Sequence, residues 1–496
     1  MMPLAAGLSA FILGICQNKI NPLQKEQSRA SQIGTNALSI AISLALGFFV
    51  PLGVGFYWIC SNLFTIFVQL ACNGILKPKK YVDYEDLAKS REELGRLENL
   101  GKSEQTKENK KREKEDYKRF FSVANKHLVF YSEGSGFYKY FQDVIEYLLS
   151  HSNIIIHYVT SDPNDQIFKI AESESRIRPY YIGEKRLITL FMKMDADMVV
   201  MTMPDIDNYH LKRSYVRKDV EYVFIFHWMT SVHMAVRTHA LDHFNTVFCV
   251  GPHQIAEIRE QEKLYGLPEK KLIECGYGLF DNELKAYENL KSVENAVPQI
   301  LIAPSHQNDN ILDSCIDDIL KQLLTKNWKI IVRPHPQYIR RYPDKVAAFQ
   351  ERYAKELTEN KLVFQTDFSS NSDVFMSDVL ITDWSMIAYE YSFSTLKPTL
   401  FINTKMKVIN PEYDKIPLVP TEIQWRNDVG YVLEKEQINT ISNVISDIMS
   451  KKSAYQNKIS AIRDSSIFNI GESGKVGAKY LLNALKERAA KEKEEN

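Results

Sequence analysis

Residues 30–76 contain no charged side chain, a run of 47 positions, and residues 1–18 are uncharged as well. A helix crosses a bilayer with about 20 apolar residues, so the longer run has room for two crossings, broken at Pro51-Leu52-Gly53. The pattern predicts membrane-spanning helices near 3–17, 35–50 and 53–72. No basic stretch precedes the first and no small-residue cleavage site follows it, so it does not read as a removable signal. Lys19, Lys25 and Arg29 lie in the first connection, Lys77, Lys79 and Lys80 follow the third helix, and the break at 51–53 is uncharged. The positive-inside rule then places both basic flanks, and everything after residue 77, in the cytoplasm, with Tyr57 and Trp58 near the outer interface.

The same segment organises the charge of the whole chain. Of 496 residues, 62 are basic and 62 acidic, yet residues 1–80 hold six basic side chains and one acidic, leaving the remainder acidic by five. This balance argues against a nucleic-acid binder, and a hydrophobic content of 45% argues against disorder. The six cysteines form no C-x-x-C pair, so neither a disulfide framework nor a zinc module is expected. The stretch QNKINPLQKEQSRASQIGTNALSIAISLALGFFVPLGVGFYWICSNLFTIFVQL carries Asn21-Pro22, the turn at 51–53, and Tyr57-Trp58 before Ser61-Asn62-Leu63. It resembles the last three spans of YidC-type membrane protein insertases, over about residues 1–90. The resemblance implies a membrane anchor built from the end of that module, in contact with membrane lipid.

In residues 101–119, 13 of 19 side chains are charged, with signs interleaved. Such a run cannot bury apolar surface and reads as a solvated helix or flexible tether, part of a linker over 81–120.

After residue 126 short apolar runs alternate with amphipathic stretches: LVFY (128–131), IIIHYV (154–159), DMVVMT (197–202), YVFIF (222–226), TVFCV (246–250) and LIEC (272–275). A second set follows: ILIA (300–303), KIIV (329–332), KLVF (361–364), DVLI (378–381) and TLFI (399–402). Continuous apolar strands between helices predict an α/β fold with parallel sheets covered on both faces, in two doubly wound domains, 121–290 and 291–496. Ligands in such folds bind beyond the carboxyl ends of the strands. No glycine lies between Gly278 and Gly430, so the second domain has neither a P-loop nor a G-x-G-x-x-G turn, and Gly134-Ser135-Gly136 lacks a third glycine.

The strand ends supply the chemistry. KIIV runs into Arg333-Pro334-His335-Pro336, a rigid turn with a cation beside an imidazole, suited to phosphate oxygens or proton transfer. DVLI runs into Thr382-Asp383-Trp384-Ser385 before a helical pattern starting at Met386. That helix start suits a diphosphate, with Asp383 or Ser385 as its cap. YVFIF ends in His227, a candidate general base. His239 and His243 are spaced for one helix face, but no carboxylate motif accompanies them and no metal is expected. The loop Asp367-Phe368-Ser369-Ser370 has no assigned role.

RPHPQ and SDVLITDWSMIAYEYSFSTLKPTLFIN resemble the CDP-glycerol glycerophosphotransferase family, the TagF- and TagB-like wall teichoic acid enzymes, over about residues 125–485. The chain departs from the family pattern at several places. Trp228-Met229-Thr230 follows His227 where the family has Gly-Thr, Met386 replaces a serine, Gly278-Leu279-Phe280-Asp281 lacks an arginine, and Pro304-Ser305-His306 stands for Pro-Thr-Trp. The resemblance implies two Rossmann-like domains of GT-B type, with the acceptor on the first and the CDP donor on the second. It implies catalytic roles for His227 and His335 and substrate-binding roles for Arg333, Thr382, Asp383 and Ser385. The implied reaction transfers glycerol phosphate from CDP-glycerol, or a related CDP-alditol, to a lipid-linked polymer acceptor with release of CMP and without a cofactor. Two other readings remain open: a GT-B glycosyltransferase using a nucleotide sugar, and a membrane-insertion module with a non-catalytic soluble half.

Overall fold

The computed structural model describes residues 2–21, 29–76, 106–124, 126–209, 211–290, 295–368 and 370–495. The chain forms two compact units, residues 1–102 and 103–496.

The first unit contains helices Met2–Ile20, Arg29–Phe49 and Leu52–Leu76. Glycines let the helices approach closely: a Cβ on Gly47 would stand 2.7 Å from the Pro3 backbone. Polar side chains bridge the interior, with Asn62 Nδ2 donating to Ser9 Oγ (3.0 Å) and Asn73 Nδ2 to the Ile20 carbonyl (2.8 Å). The outer surface is apolar, with Leu4, Phe48, Phe49, Phe56, Phe64 and Phe67 exposed. Two of the helices, Ser31–Phe49 and Leu52–Leu76, are long and apolar enough to cross a membrane. Lys25, Lys77, Lys79 and Lys80, on which the predicted orientation rests, lie outside the described residues.

The second unit holds two parallel sheets. The first consists of β1 (Lys126–Ser132), β2 (Ile156–Thr160), β3 (Ile177–Tyr181), β4 (Ala196–Met201), β5 (Glu221–Ile225), β6 (Thr246–Cys249) and β7 (Lys271–Glu274). The second consists of β8 (Gln299–Ile302), β9 (Lys329–Val332), β10 (Leu362–Phe364), β11 (Val379–Thr382), β12 (Thr399–Asn403) and β13 (Gly430–Glu434). Their orders are β3-β2-β1-β4-β5-β6-β7 and β10-β9-β8-β11-β12-β13. Each reverses direction beside its first strand, which opens a crevice between β1 and β4 and another between β8 and β11. Each of the eleven apolar runs is a strand, and two strands were not anticipated. Both are edge strands: β3 carries Arg178 and Pro179, and β13 begins at Gly430 and exposes Tyr431 and Glu434.

Two segments pack differently from their sequence assignment. The charged run is not a free tether from residue 107 onward, because helix Lys107–Ser122 docks beside β3. Asp116 Oδ2 accepts from the Tyr181 amide (2.9 Å), Glu113 Oε1 accepts from the Gly183 amide (3.2 Å), and Phe120 is fully buried. The last helix, Ser473–Glu495, follows the second sheet in the chain but packs on helix Tyr138–His151 of the first. Its Tyr480 hydroxyl donates to Glu221 Oε1 (2.6 Å), and Leu481 is fully buried. The return passes so close to β7 that Gly276, at φ +98°, leaves only 2.3 Å between a would-be Cβ and the Phe468 carbonyl.

One apolar core runs between the two sheets, with Tyr389, Phe393, Phe401 and Trp425 packed with Phe226, Met229 and Phe280. The two α/β domains therefore share one apolar core.

Candidate active site

The loops beyond β5, β8, β9, β11 and β12 build the cleft. His227 follows β5, and its ring is enclosed by Phe137 (5.6 Å between centroids), Tyr140 (5.8 Å) and Trp228 (4.7 Å). Burial lowers its pKa to about 4; the Thr202 backbone opposes the shift, and the Lys139 and Lys407 cations reinforce it. The imidazole is therefore neutral at pH 7, the state in which it can take a proton.

His335 caps helix Pro336–Arg341, with Nδ1 accepting the Gln337 amide at 3.0 Å. The neutral ring must then carry its proton on Nε2, so it presents a donor. Burial lowers its pKa to about 3, helped by His306, Lys407, Arg341 and Lys139. His306, beyond β8, lies with its ring centroid 4.5 Å from that of His335, and burial, then Lys407 and Arg341, lower its pKa to about 4. His306 and His335 are thus ring neighbours, and the Lys139 and Lys407 cations act on both His227 and His335.

The remaining predicted residues divide. Ser385 is half-buried beside helix Ile387–Thr395, whose N-cap is Met386 with no side-chain cap bond, so neither Asp383 nor Ser385 caps the helix. Asp383 is fully buried and accepts the amides of Ser305 (2.9 Å), Ile311 (3.1 Å) and Trp384 (2.6 Å). Thr382, also fully buried, donates to the Ala303 carbonyl (2.6 Å). These bonds hold the 303–311 loop that carries His306. Arg333 is 7% exposed and donates to Ser370 O (3.2 Å) and Asn371 Oδ1 (3.0 Å), above the Phe368 ring. It braces the 365–371 segment, of which Ser369 lies outside the described residues. His239 and His243 are not on a helix; His239 sits at φ +69° and pairs with Asp242 (2.6 Å).

Sequence reasoning missed Lys139, in the first turn of helix Tyr138–His151, and Lys407, four residues beyond β12. Each follows a strand end, the same signal that picked out the histidines. Glu283 and Glu390, from opposite sides of the cleft, were missed as well. Burial raises both carboxyl pKa values, and Glu390 further raises that of Glu283.

Chemically, the strand ends offer a neutral base in one domain, and in the other a neutral donor and an uncapped helix start, with the Lys139 and Lys407 cations acting on both histidines. This set fits an anionic substrate that reacts with a hydroxyl group. No group of three or more His, Cys, Asp or Glu suited to a metal occurs among the described residues.

Residues 115–467 match the family model described as CDP-glycerol:poly(glycerophosphate) glycerophosphotransferase. No curated protein sequence matches the chain. Among solved structures, the wall teichoic acid polymerase TagF matches at 14% identity and a TM-score of 0.51, over 81% of this chain and 99% of that one. A histidine variant of TagF soaked with CDPG matches at 14% identity and a TM-score of 0.49, over 82% and 99%. The UDP-GlcNAc 2-epimerase of Methanocaldococcus jannaschii matches at 13% identity and a TM-score of 0.46, over 73% and 100%. The likeness to TagF extends to the fold, two parallel-sheet α/β domains of GT-B type.

Proposed function

The chain belongs to the CDP-glycerol:poly(glycerophosphate) glycerophosphotransferase family, and on that premise we propose that it extends a lipid-linked acceptor at the cytoplasmic face of a membrane. It moves glycerol phosphate from CDP-glycerol in the synthesis of a teichoic acid or related surface polymer. The observation that carries this reading is the pair of neutral imidazoles at strand ends, one in each domain: His227 just beyond β5 and His335 just beyond β9.

The acceptor hydroxyl gives its proton to His227 and attacks the β-phosphorus of CDP-glycerol. The new oxygen–phosphorus bond forms as the bond to the bridging oxygen breaks, and CMP leaves with that oxygen. His335 donates Nε2–H to a phosphate oxygen. Ser385 and the amides at the start of helix Ile387–Thr395 stabilise charge on the diphosphate. Phosphoryl transfer depends mainly on positioning and electrostatics, which these groups supply. The apolar outer face of the first unit supports the anchoring role, since an exposed surface of this kind suits lipid rather than water.

The test is CMP release from CDP-glycerol by the full chain, compared with His227→Ala and His335→Ala. Each variant is expected to lose about 100- to 1,000-fold in kcat while keeping the wild-type melting profile. Full activity in both would remove this site assignment.

A further inference from the structure

Three residues beyond His227, the loop that leaves β5 meets the second domain. Thr230 and Ser231 are fully buried there, against Met386, Thr421 and Glu422. The Thr230 hydroxyl has one proton, and Glu422 Oε1, at 2.7 Å, is its nearer and stronger acceptor; Met386 Sδ lies 3.0 Å from the same oxygen. Glu422 Oε2 accepts the Ser231 amide at 3.3 Å, so both carboxylate oxygens of a residue 6% exposed are bonded to this loop. The Thr421 amide returns a bond to Ser231 Oγ at 2.7 Å.

Glu422 is also tied to the helix beside Ser385. Its carbonyl accepts the Tyr389 hydroxyl at 3.1 Å, and Tyr389 lies in the first turn of helix Ile387–Thr395, whose N-cap is Met386. One residue therefore holds the His227 loop through its side chain and the helix start through its backbone. Thr230 is 156 positions from Met386 and 192 from Glu422 along the chain, so these bonds form only when the two domains are seated together. The junction is dry and its acceptor is a buried carboxyl group. Losing the Thr230 proton would leave a carboxyl oxygen buried without its partner, which makes the contact close to all-or-none.

We propose that Thr230 and Glu422 are positioning residues that seat His227 against the helix start at Met386, so that a nucleotide bound at that helix acts on His227 through the junction. They work through His227 and not on the substrate. The base therefore moves with the domain that holds the donor, and is aligned when the donor is in place. The roles of His227 as base and of the helix start as diphosphate site rest on the glycerophosphotransferase reading; the bonds that join the two do not.

The experiment titrates the full chain in detergent with CDP and separately with UDP, follows the ring signals of His227 and His335 by NMR, and measures CMP release from CDP-glycerol in parallel. CDP is expected to shift both histidines in the wild type. In Thr230→Val, which keeps the shape and lacks the hydroxyl, and in Glu422→Gln, CDP still binds and still shifts His335, but the response of His227 is lost. In both variants kcat falls about 10-fold or more while KM for CDP-glycerol stays near the wild-type value. Thr230→Ser keeps the hydroxyl and behaves as wild type. So does Thr238→Val, which removes a bond to Asn410 Oδ1 (3.0 Å) farther along the same loop. Thermal melts separate lost positioning from lost folding. A His227 response in Thr230→Val and Glu422→Gln equal to that of the wild type overturns the junction. So does a wild type in which neither nucleotide shifts His227, or a folded variant in which both histidines lose their response together. If UDP alone gives the expected pattern and no CMP is released from CDP-glycerol, the junction stands and the assigned donor falls.

Discussion

At the scale of single residues, each histidine of the cleft is held by a different device. Aromatic rings enclose His227, whereas His335 is locked by the backbone of its own turn, its Nδ1 accepting the Gln337 amide. Histidine NMR of the ligand-free protein is expected to show both titrating below pH 5, with upward shifts when CDP binds; values near about 6.5, the ordinary histidine range, would contradict the enclosure. Asp383 makes a separate point. Three amides converge on its carboxylate, so Asp383→Ala is expected to cost about 3 kcal/mol by calorimetry and to raise KM as the His306 loop loosens. The strand-end positions of His227, His335 and Ser385 were legible, because each follows a short apolar run. The bracing role of Asp383 was not legible, because which amides its carboxylate meets is settled by the 303–311 loop, 70 to 80 residues away in the chain.

At the scale of elements, pattern reading found every interior strand and two of the four edges, β7 and β10, while both strands it missed, β3 and β13, are edges. IIIHYV and KIIV announce themselves as continuous apolar runs, while IRPYY and GYVLE carry the polar and glycine residues that an edge strand tolerates. Helix Lys107–Ser122 was obscured by its composition, since its charges hide one buried face made of Glu113, Asp116 and Phe120. Phe120→Ala is expected to cost about 3 to 5 kcal/mol in denaturant unfolding, whereas a free tether would show no change. The returning helix Ser473–Glu495 was unreadable for another reason: chain order cannot say which of two sheets a terminal helix will cover.

At the scale of the whole molecule, the cleft has a consequence for acid stability. Folded His227, His306 and His335 titrate at about 4, 4 and 3, against about 6.5 in an unfolded chain. Between those values the unfolded state binds more protons, so stability falls as pH drops from about 6.5 toward 4. Thermal unfolding across that range checks the sign, and a saturating diphosphate is expected to raise the midpoint throughout. The first unit makes its own prediction, that the full chain stays with the membrane pellet after alkaline carbonate washing. The central claim is tested most directly by supplying the membrane-bound full chain with CDP-glycerol, a UDP-sugar and a lipid-linked acceptor. Release of CMP together with elongation of the acceptor, both lost in His227→Ala, is the predicted result; turnover of the UDP-sugar with no CMP above background would contradict it.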